Sequence, residues 1–219
     1  MKKLRVLCLH GYHGSGDLLR LQMAQLIAGS AALADFVYLD APSLTWGDFG
    51  WWHANTTTPL SGIEDACAGP RRKQYEGWAR SRHSIVAAFY KLGPFDGVFG
   101  FSQGAALTSL LVGLRAPDGN VTEVKPLAFD FAVMVSGFLS ADETLAKMYK
   151  DRACYDLPTM HILGLSDFVV PLAETRALAS IFKDPMVLEH KGGHVVPSVQ
   201  EIRNQFEGFL AKMVSRNAA

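Results

Sequence analysis

Six short runs of consecutive apolar residues punctuate this chain, and most are separated by stretches in which apolar positions recur at helical spacing. The runs predict strands over Arg5–Leu9, Phe36–Leu39, Gly97–Phe99, Phe131–Val135, Thr159–Leu163 and Met186–Glu189. The intervening pattern predicts helices near Leu18–Ala28, Arg72–Lys91, Gly104–Arg115, Ala141–Met148 and Ala173–Ile181, with a closing helix over about Val196–Met213. Strands that are nearly continuous in apolar residues must be covered on both faces. The pattern therefore predicts an α/β fold, with a mostly parallel sheet of about six strands between helices. Right-handed crossovers then bring the C-terminal ends of all strands to one edge, where open α/β sheets form their sites.

The segment Ala41–Pro70 breaks this rhythm. It carries Trp46, Phe49, Trp51 and Trp52 without clear periodicity, then Thr56-Thr57-Thr58-Pro59 and Ser61-Gly62. Connections this long in a compact domain are often lids or binding loops. Three of the four tryptophans lie here, just after a strand end. The segment reads either as a surface loop anchored by packed aromatics or as an aromatic lid over a pocket, with Trp46, Trp51 and Trp52 as candidate substrate contacts.

Composition narrows the partners. At 219 residues the chain reads as one domain over 1–219, with 41–70 as a lid-like insertion. Lys plus Arg equals Asp plus Glu at 21 each, so no bulk charge points to nucleic acid or to an anionic membrane. Cys8, Cys67 and Cys154 cannot all pair, which fits a reducing, cytoplasmic setting. The apolar run after Met1-Lys2-Lys3 ends at His10-Gly11 without a cleavage site, so it does not read as a signal peptide. No segment approaches the length of a membrane span. A homodimer stays open.

Gly100-Phe101-Ser102-Gln103-Gly104 carries the chemistry. A G-x-S-x-G sequence between a strand and a helix describes a nucleophile elbow, in which the serine sits on a strained turn. A Cβ at either flanking glycine would collide as the chain folds back. A serine hydroxyl needs a base, and the base needs an orienting group, in the order Ser, Asp or Glu, His for this arrangement. Asp167 follows the strand Thr159–Leu163 through Gly164-Leu165-Ser166, at the same sheet edge as the elbow. Asp142 and Glu143 read instead as first-turn helix residues. His161 falls within a strand, whereas His190 and His194 both follow the last one. Gly192-Gly193 lets the loop turn His194 toward the serine, which favours His194 over His190. The oxyanion of a tetrahedral intermediate would be met by the N–H of Gln103, the residue after the nucleophile, and by that of Tyr12 in His10–Gly16. Gly11-x-x-Gly14-x-Gly16 matches neither the dinucleotide nor the Walker pattern, and His10 and His13 lack the companions of a metal site.

With these residues assembled, the chain resembles the family of serine hydrolases within the α/β-hydrolase superfamily, which includes fungal and animal members, some of them thioesterases beside polyketide synthases. The resemblance covers nearly the whole length. It rests on Val6–Tyr12, Trp51-Trp52, Phe95–Gly104, Pro158–Pro171 around Asp167, and Gly192–Pro197. It implies an α/β-hydrolase fold lacking the first strands of the full superfamily. It further implies a hydrolase of esters or thioesters with nucleophile Ser102, base His194 and acid Asp167, needing no metal or organic cofactor. Many relatives place an arginine before the aromatic pair, where Gly50 stands here, so that contact is not carried over. The same triad would also serve an acyltransferase, and the fold would serve a ligand binder without turnover.

Overall fold

The computed structural model describes residues 2–44, 48–57 and 72–217. In chain order the elements are β1 (Leu4–Leu9), α1 (Gly16–Met23), β2 (Ala34–Leu39), β3 (Ser43–Leu44), β4 (Asp48–Phe49), β5 (His53–Thr57), β6 (Arg72–Glu76) and α2 (Trp78–Leu92). They continue with β7 (Gly97–Phe101), α3 (Gln103–Gly113), β8 (Phe131–Val135), α4 (Glu143–Ala146), β9 (Thr159–Gly164), α5 (Leu172–Ala179), β10 (Met186–His190) and α6 (Gln200–Asn217). Six strands form one sheet in the order β10-β9-β8-β7-β1-β2, and every neighbouring pair in it is parallel.

The period of two along each strand divides the core. Leu7, Leu9, Val98, Ala132 and Met134 pack with Ile85 of α2, Leu107 and Leu110 of α3 and Leu178 of α5. Val6, Cys8, Phe99, Phe131, Val133 and Ile162 face the other way, onto Leu19 and Met23 of α1 and Phe206, Leu210 and Met213 of α6. Both faces are thus covered, as strands without polar alternation require.

Strand order locates the crevice. The chain leaves β1 for β2 on one side, then builds β7, β8, β9 and β10 on the other. The C-terminal ends of β1 and β7 therefore flank the point where the winding reverses, where ligands bind in open α/β sheets. Helix α3 starts there and runs beneath the sheet with all eleven residues buried. The Lys125 ammonium donates to the Gly113 carbonyl at its far end, at 2.8 Å.

The predicted strands agree with the observed ones to within two residues at either end. The helices differ more. Arg72–Glu76 is not the start of a helix but strand β6, antiparallel to β5, and α2 begins only at Trp78. Its sequence, rich in long charged side chains, favours helix locally, and pairing with a distant segment overrides that preference. The Leu18–Ala28 helix shortens to α1, which Ser15 caps by accepting from the Leu18 N–H. The Ala141–Met148 helix reduces to α4 followed by a 3₁₀ turn at Lys147–Lys150. The closing helix starts at Gln200, past Pro197. The Ala41–Pro70 insertion includes β3, β4 and β5, while Trp46 lies outside the described residues. Among the described residues no helix is long and apolar enough to cross a membrane.

Candidate active site

β7 delivers Ser102 into a turn that only small flanking residues permit. Ser102 holds φ 55° and ψ −118°, a left-handed conformation costly for a residue with a side chain. A Cβ on Gly100 would run into the Gly104 carbonyl. One on Gly104 would run into the Leu9 carbonyl and reach within 2.6 Å of that of His10. The two glycines thus let the turn close on itself and let α3 press against the end of β1. The Ser102 N–H donates to the Val135 carbonyl at 2.9 Å, which ties the elbow to the end of β8.

Two loops at the far strands bring the partners. After β9, Asp167 Oδ1 accepts from the N–H groups of Val169 (2.9 Å) and Val170 (2.8 Å). Its Oδ2 lies 2.8 Å from His194 Nδ1. A carboxylate only accepts, so Nδ1 carries the proton and Nε2 is left to accept from the Ser102 hydroxyl, at 2.9 Å. Cross-bonds hold the acid and base loops together: Leu165 N–H to the His190 carbonyl at 2.8 Å, and Ser166 N–H to the Gly192 carbonyl at 3.1 Å. Burial would push the Asp167 carboxyl up. The Val170 N–H, the His194 ring and the Ser136 hydroxyl outweigh burial and hold it below the usual carboxylate range. Asp167 is therefore ionised at neutral pH.

The structure brings His194, and not His190, to Ser102. His190 is buried, its Nδ1 accepts from the Gly192 N–H at 3.1 Å, and burial lowers its pKa. It is a turn-shaping residue of the base loop. His161 lies in β9, packed on Phe182 with ring centroids 5.0 Å apart, and burial pushes its pKa down to about 3.

The loop after β1 passes close beside the serine. A Cβ on Gly11 would lie 3.2 Å from that of Ser102, so Gly11 serves close approach, with no left-handed φ required of it. The bend falls instead at His13, at φ 56°, within a turn closed by Gly14 N–H to the Gly11 carbonyl at 3.1 Å. His10 locks this loop through both ring nitrogens. The Gly11 carbonyl (2.7 Å) can only accept, so Nδ1 is protonated, and Nε2 accepts from the Ala41 N–H at 3.0 Å. Burial lowers its pKa, only partly offset by the Gly11 carbonyl and Asp40, which keeps the ring neutral as both bonds require. Neither nitrogen is left for a metal.

A cavity of about 690 Å³ opens above Ser102 and Gln103. Phe138, Leu139, Val169, Val170 and Pro171 give it an apolar wall. Tyr12, Trp52, His53, Asn55 and Tyr75 line it from the β1 loop and the β5–β6 hairpin, and Glu174 lines it from α5. Of the proposed aromatic contacts, Trp52 lines this cavity, Trp46 lies outside the described residues, and Trp51 does neither. Trp51 is fully buried, with its indole N–H donating to the His10 carbonyl at 2.8 Å and its own carbonyl accepting from Ser81 Oγ. It belongs to the hydrophobic core and not to the cavity lining, and its buried indole N–H has the acceptor it needs.

Sequence reasoning assigned Gln103 only its backbone N–H. Its side chain also matters: Oε1 accepts from the Trp51 N–H at 2.9 Å and Nε2 donates to the Trp52 carbonyl at 2.8 Å. Tyr75 was missed altogether. Its ring stacks on Trp52 (centroids 4.7 Å apart, 7° between planes), and its hydroxyl accepts from the Ala141 N–H at 2.8 Å. Its N–H donates to Asp142 Oδ2 at 3.0 Å, while Asp142 Oδ1 caps α4. A Tyr in a charged stretch gave no local signal of this role. The buried amide after the nucleophile could have been questioned on cost alone, since a buried polar side chain needs partners.

Fold and strand-end geometry together define an α/β-hydrolase. Its backbone resembles Zea mays acyl-protein thioesterase 2 at a TM-score of 0.66 with 18% identity, covering 98% of this chain and 95% of that one. In sequence it is 32% identical to Esterase OVCA2 of Xenopus tropicalis, over 97% of this chain and 94% of that protein. It is also 32% identical to Esterase CG5412 of Drosophila melanogaster, over 95% of this chain and 74% of that protein. The model of the serine hydrolase (FSH1) family matches residues 1–206, and the chain belongs to that family.

Proposed function

We propose that this protein hydrolyses carboxylic esters or thioesters through an acyl-enzyme, with Ser102 as nucleophile, His194 as base and Asp167 as the group that orients and charges-compensates the imidazole. The observation that carries this reading is the unbroken relay from Asp167 Oδ2 to His194 Nδ1 (2.8 Å) and from His194 Nε2 to Ser102 Oγ (2.9 Å), ending at the cavity. Ser102 attacks the acyl carbonyl while its proton passes to His194 Nε2. The N–H groups of Gln103 and Tyr12 meet the oxyanion. His194 returns the proton to the leaving alcohol or thiol. Water, activated by the same imidazole, then releases the acid.

The apolar wall of Phe138, Leu139, Val169, Val170 and Pro171 suits a small or medium apolar acyl group, and Trp52 adds aromatic surface. On this reading residues 1–219 act as one catalytic domain, with the insertion at 41–70 contributing to the roof. A fluorophosphonate probe tests the assignment: wild type is labelled stoichiometrically, and Ser102→Ala is neither labelled nor active on acyl ester and thioester series. Undiminished labelling of Ser102→Ala would overturn the reading.

A further inference from the structure

Among the described residues that line the cavity above Ser102, Glu174 is the only carboxylate, and none is a lysine or an arginine. Its place in the sequence explains why the carboxylate is left for the cavity. Glu174 is the third residue of α5, where a glutamate ordinarily turns back to bond the backbone N–H of the residue capping the helix. The cap here is Pro171, which has no N–H to offer. Arg176, the one cation of α5, is paired with Glu189 at 2.6 Å. Among the described residues the Glu174 carboxylate has neither a hydrogen bond nor an ion pair.

Helix α5 gains from a negative charge in its first turn, and that alone would account for a glutamate here. The neighbouring side chains add a second consequence. Val169, Val170 and Pro171 come just before it in the same segment and line the same cavity, together with Phe138 and Leu139. Apolar side chains return no hydrogen bonds. An ionised group arriving along them gives up water and finds Glu174 as the one charge on that wall.

We infer that Glu174 is a specificity-determining residue that filters substrates by charge: the cavity favours neutral and cationic acyl groups over those ending in a carboxylate. This rests on the hydrolase reading above and on the acyl group lying along the apolar wall. A carboxylate terminus there loses hydration and meets a like charge with no cation to offset it. A cationic terminus loses hydration too, but gains the carboxylate as a partner. Glu174 is itself exposed, so water and salt weaken the filter to a matter of fold-changes.

The test measures kcat/KM for aryl esters of acyl chains of one length whose ends form two size-matched pairs. Trimethylammonium stands beside tert-butyl, and carboxylate beside carboxamide. All are assayed at one pH, so that His53, a lining side chain able to carry positive charge, contributes alike to each enzyme. Wild type should hydrolyse the carboxylate ester about three- to tenfold less efficiently than the carboxamide, and the trimethylammonium ester about threefold better than the tert-butyl one. Both ratios should move toward one in Glu174→Gln, and in wild type as salt is raised toward about 0.5 M. Glu174→Asp should keep their direction. Each ratio is taken within one enzyme, so a general loss of stability cancels. A glutamate serving only the helix dipole would lower the melting temperature in Glu174→Gln and leave both ratios where they were. Ratios unmoved by Glu174→Gln, or a wild type that prefers the carboxylate, overturn the inference and leave the triad intact. Turnover of the neutral esters by Ser102→Ala overturns the triad itself.

Discussion

The two halves of this site are built by different means. The floor, with Ser102, His194 and Asp167, hangs on the ends of three parallel strands and is cross-tied by backbone bonds such as Ser102 to Val135 and Leu165 to His190. The roof, the β5–β6 hairpin, does not join that sheet. Side chains hold it: the Gln103 amide on Trp51 and Trp52, the Tyr75 hydroxyl under Ala141, Asp142 on the Tyr75 N–H, and the Tyr12 hydroxyl 2.9 Å from His53 Nδ1. Backbone ties depend little on residue identity, whereas side-chain ties are lost by single substitutions. Chemistry should therefore be hard to tune and cavity shape easy.

The largest effect should come from the floor. Asp167→Asn keeps the size of the side chain but favours the wrong imidazole tautomer, and should cost about 10⁴-fold in kcat with little loss of stability. Steady-state kinetics beside a melting curve checks this. A fall of less than about tenfold would mean that the carboxylate only props up the loop.

Next in size is acid lability, and it belongs to the sheet. His161 has its folded pKa pushed down to about 3 by burial, against an ordinary value of 6.5. The unfolded chain then binds more protons than the folded one throughout that window. Stability is fully present above about pH 6.5 and falls as pH drops toward 3, by about 1.4 kcal/mol per pH unit from this group alone. His161→Phe should flatten that slope in urea melts taken across the window, and an unchanged slope would assign the lability to other groups. The lowered pKa values of His10 and His190 act in the same direction.

The smallest effect should fall on the roof. Gln103→Met leaves the Trp51 N–H and the Trp52 carbonyl without their partners, at a cost of about 1–3 kcal/mol for each group that stays buried. Its backbone N–H is kept for the proposed oxyanion contact. KM should rise more than kcat falls across a series of acyl chain lengths, and tryptophan fluorescence should report the displaced pair. If kcat collapses with KM unchanged, floor and roof are not separable as described.

The same division explains what the sequence could reveal. The floor was legible because its cues are local: an apolar run that ends at the sheet edge, followed within a few residues by Ser102, Asp167 or His194, the members of the proposed triad. Gly100 and Gly104 announced the elbow because they flank Ser102 between an apolar strand and a helical pattern. The roof was not legible, because its determinants are pairings between distant segments. Arg72–Glu76 reads as helix until His53–Thr57 is placed beside it. Trp51 and Trp52 are adjacent and chemically alike. Yet Trp52 lines the cavity and Trp51 does not, its indole N–H being spent on the His10 carbonyl in the core.

Helix α3 has a consequence for the reaction field. All eleven of its residues are buried, so no water flanks it to screen the aligned peptide dipoles. Its positive pole is directed at the turn where negative charge would develop on the substrate oxygen. Its negative pole is met by the Lys125 ammonium at the Gly113 carbonyl. The helix is thus a polarised rod insulated along its length and grounded at its far end, and the elbow stands at the live terminal.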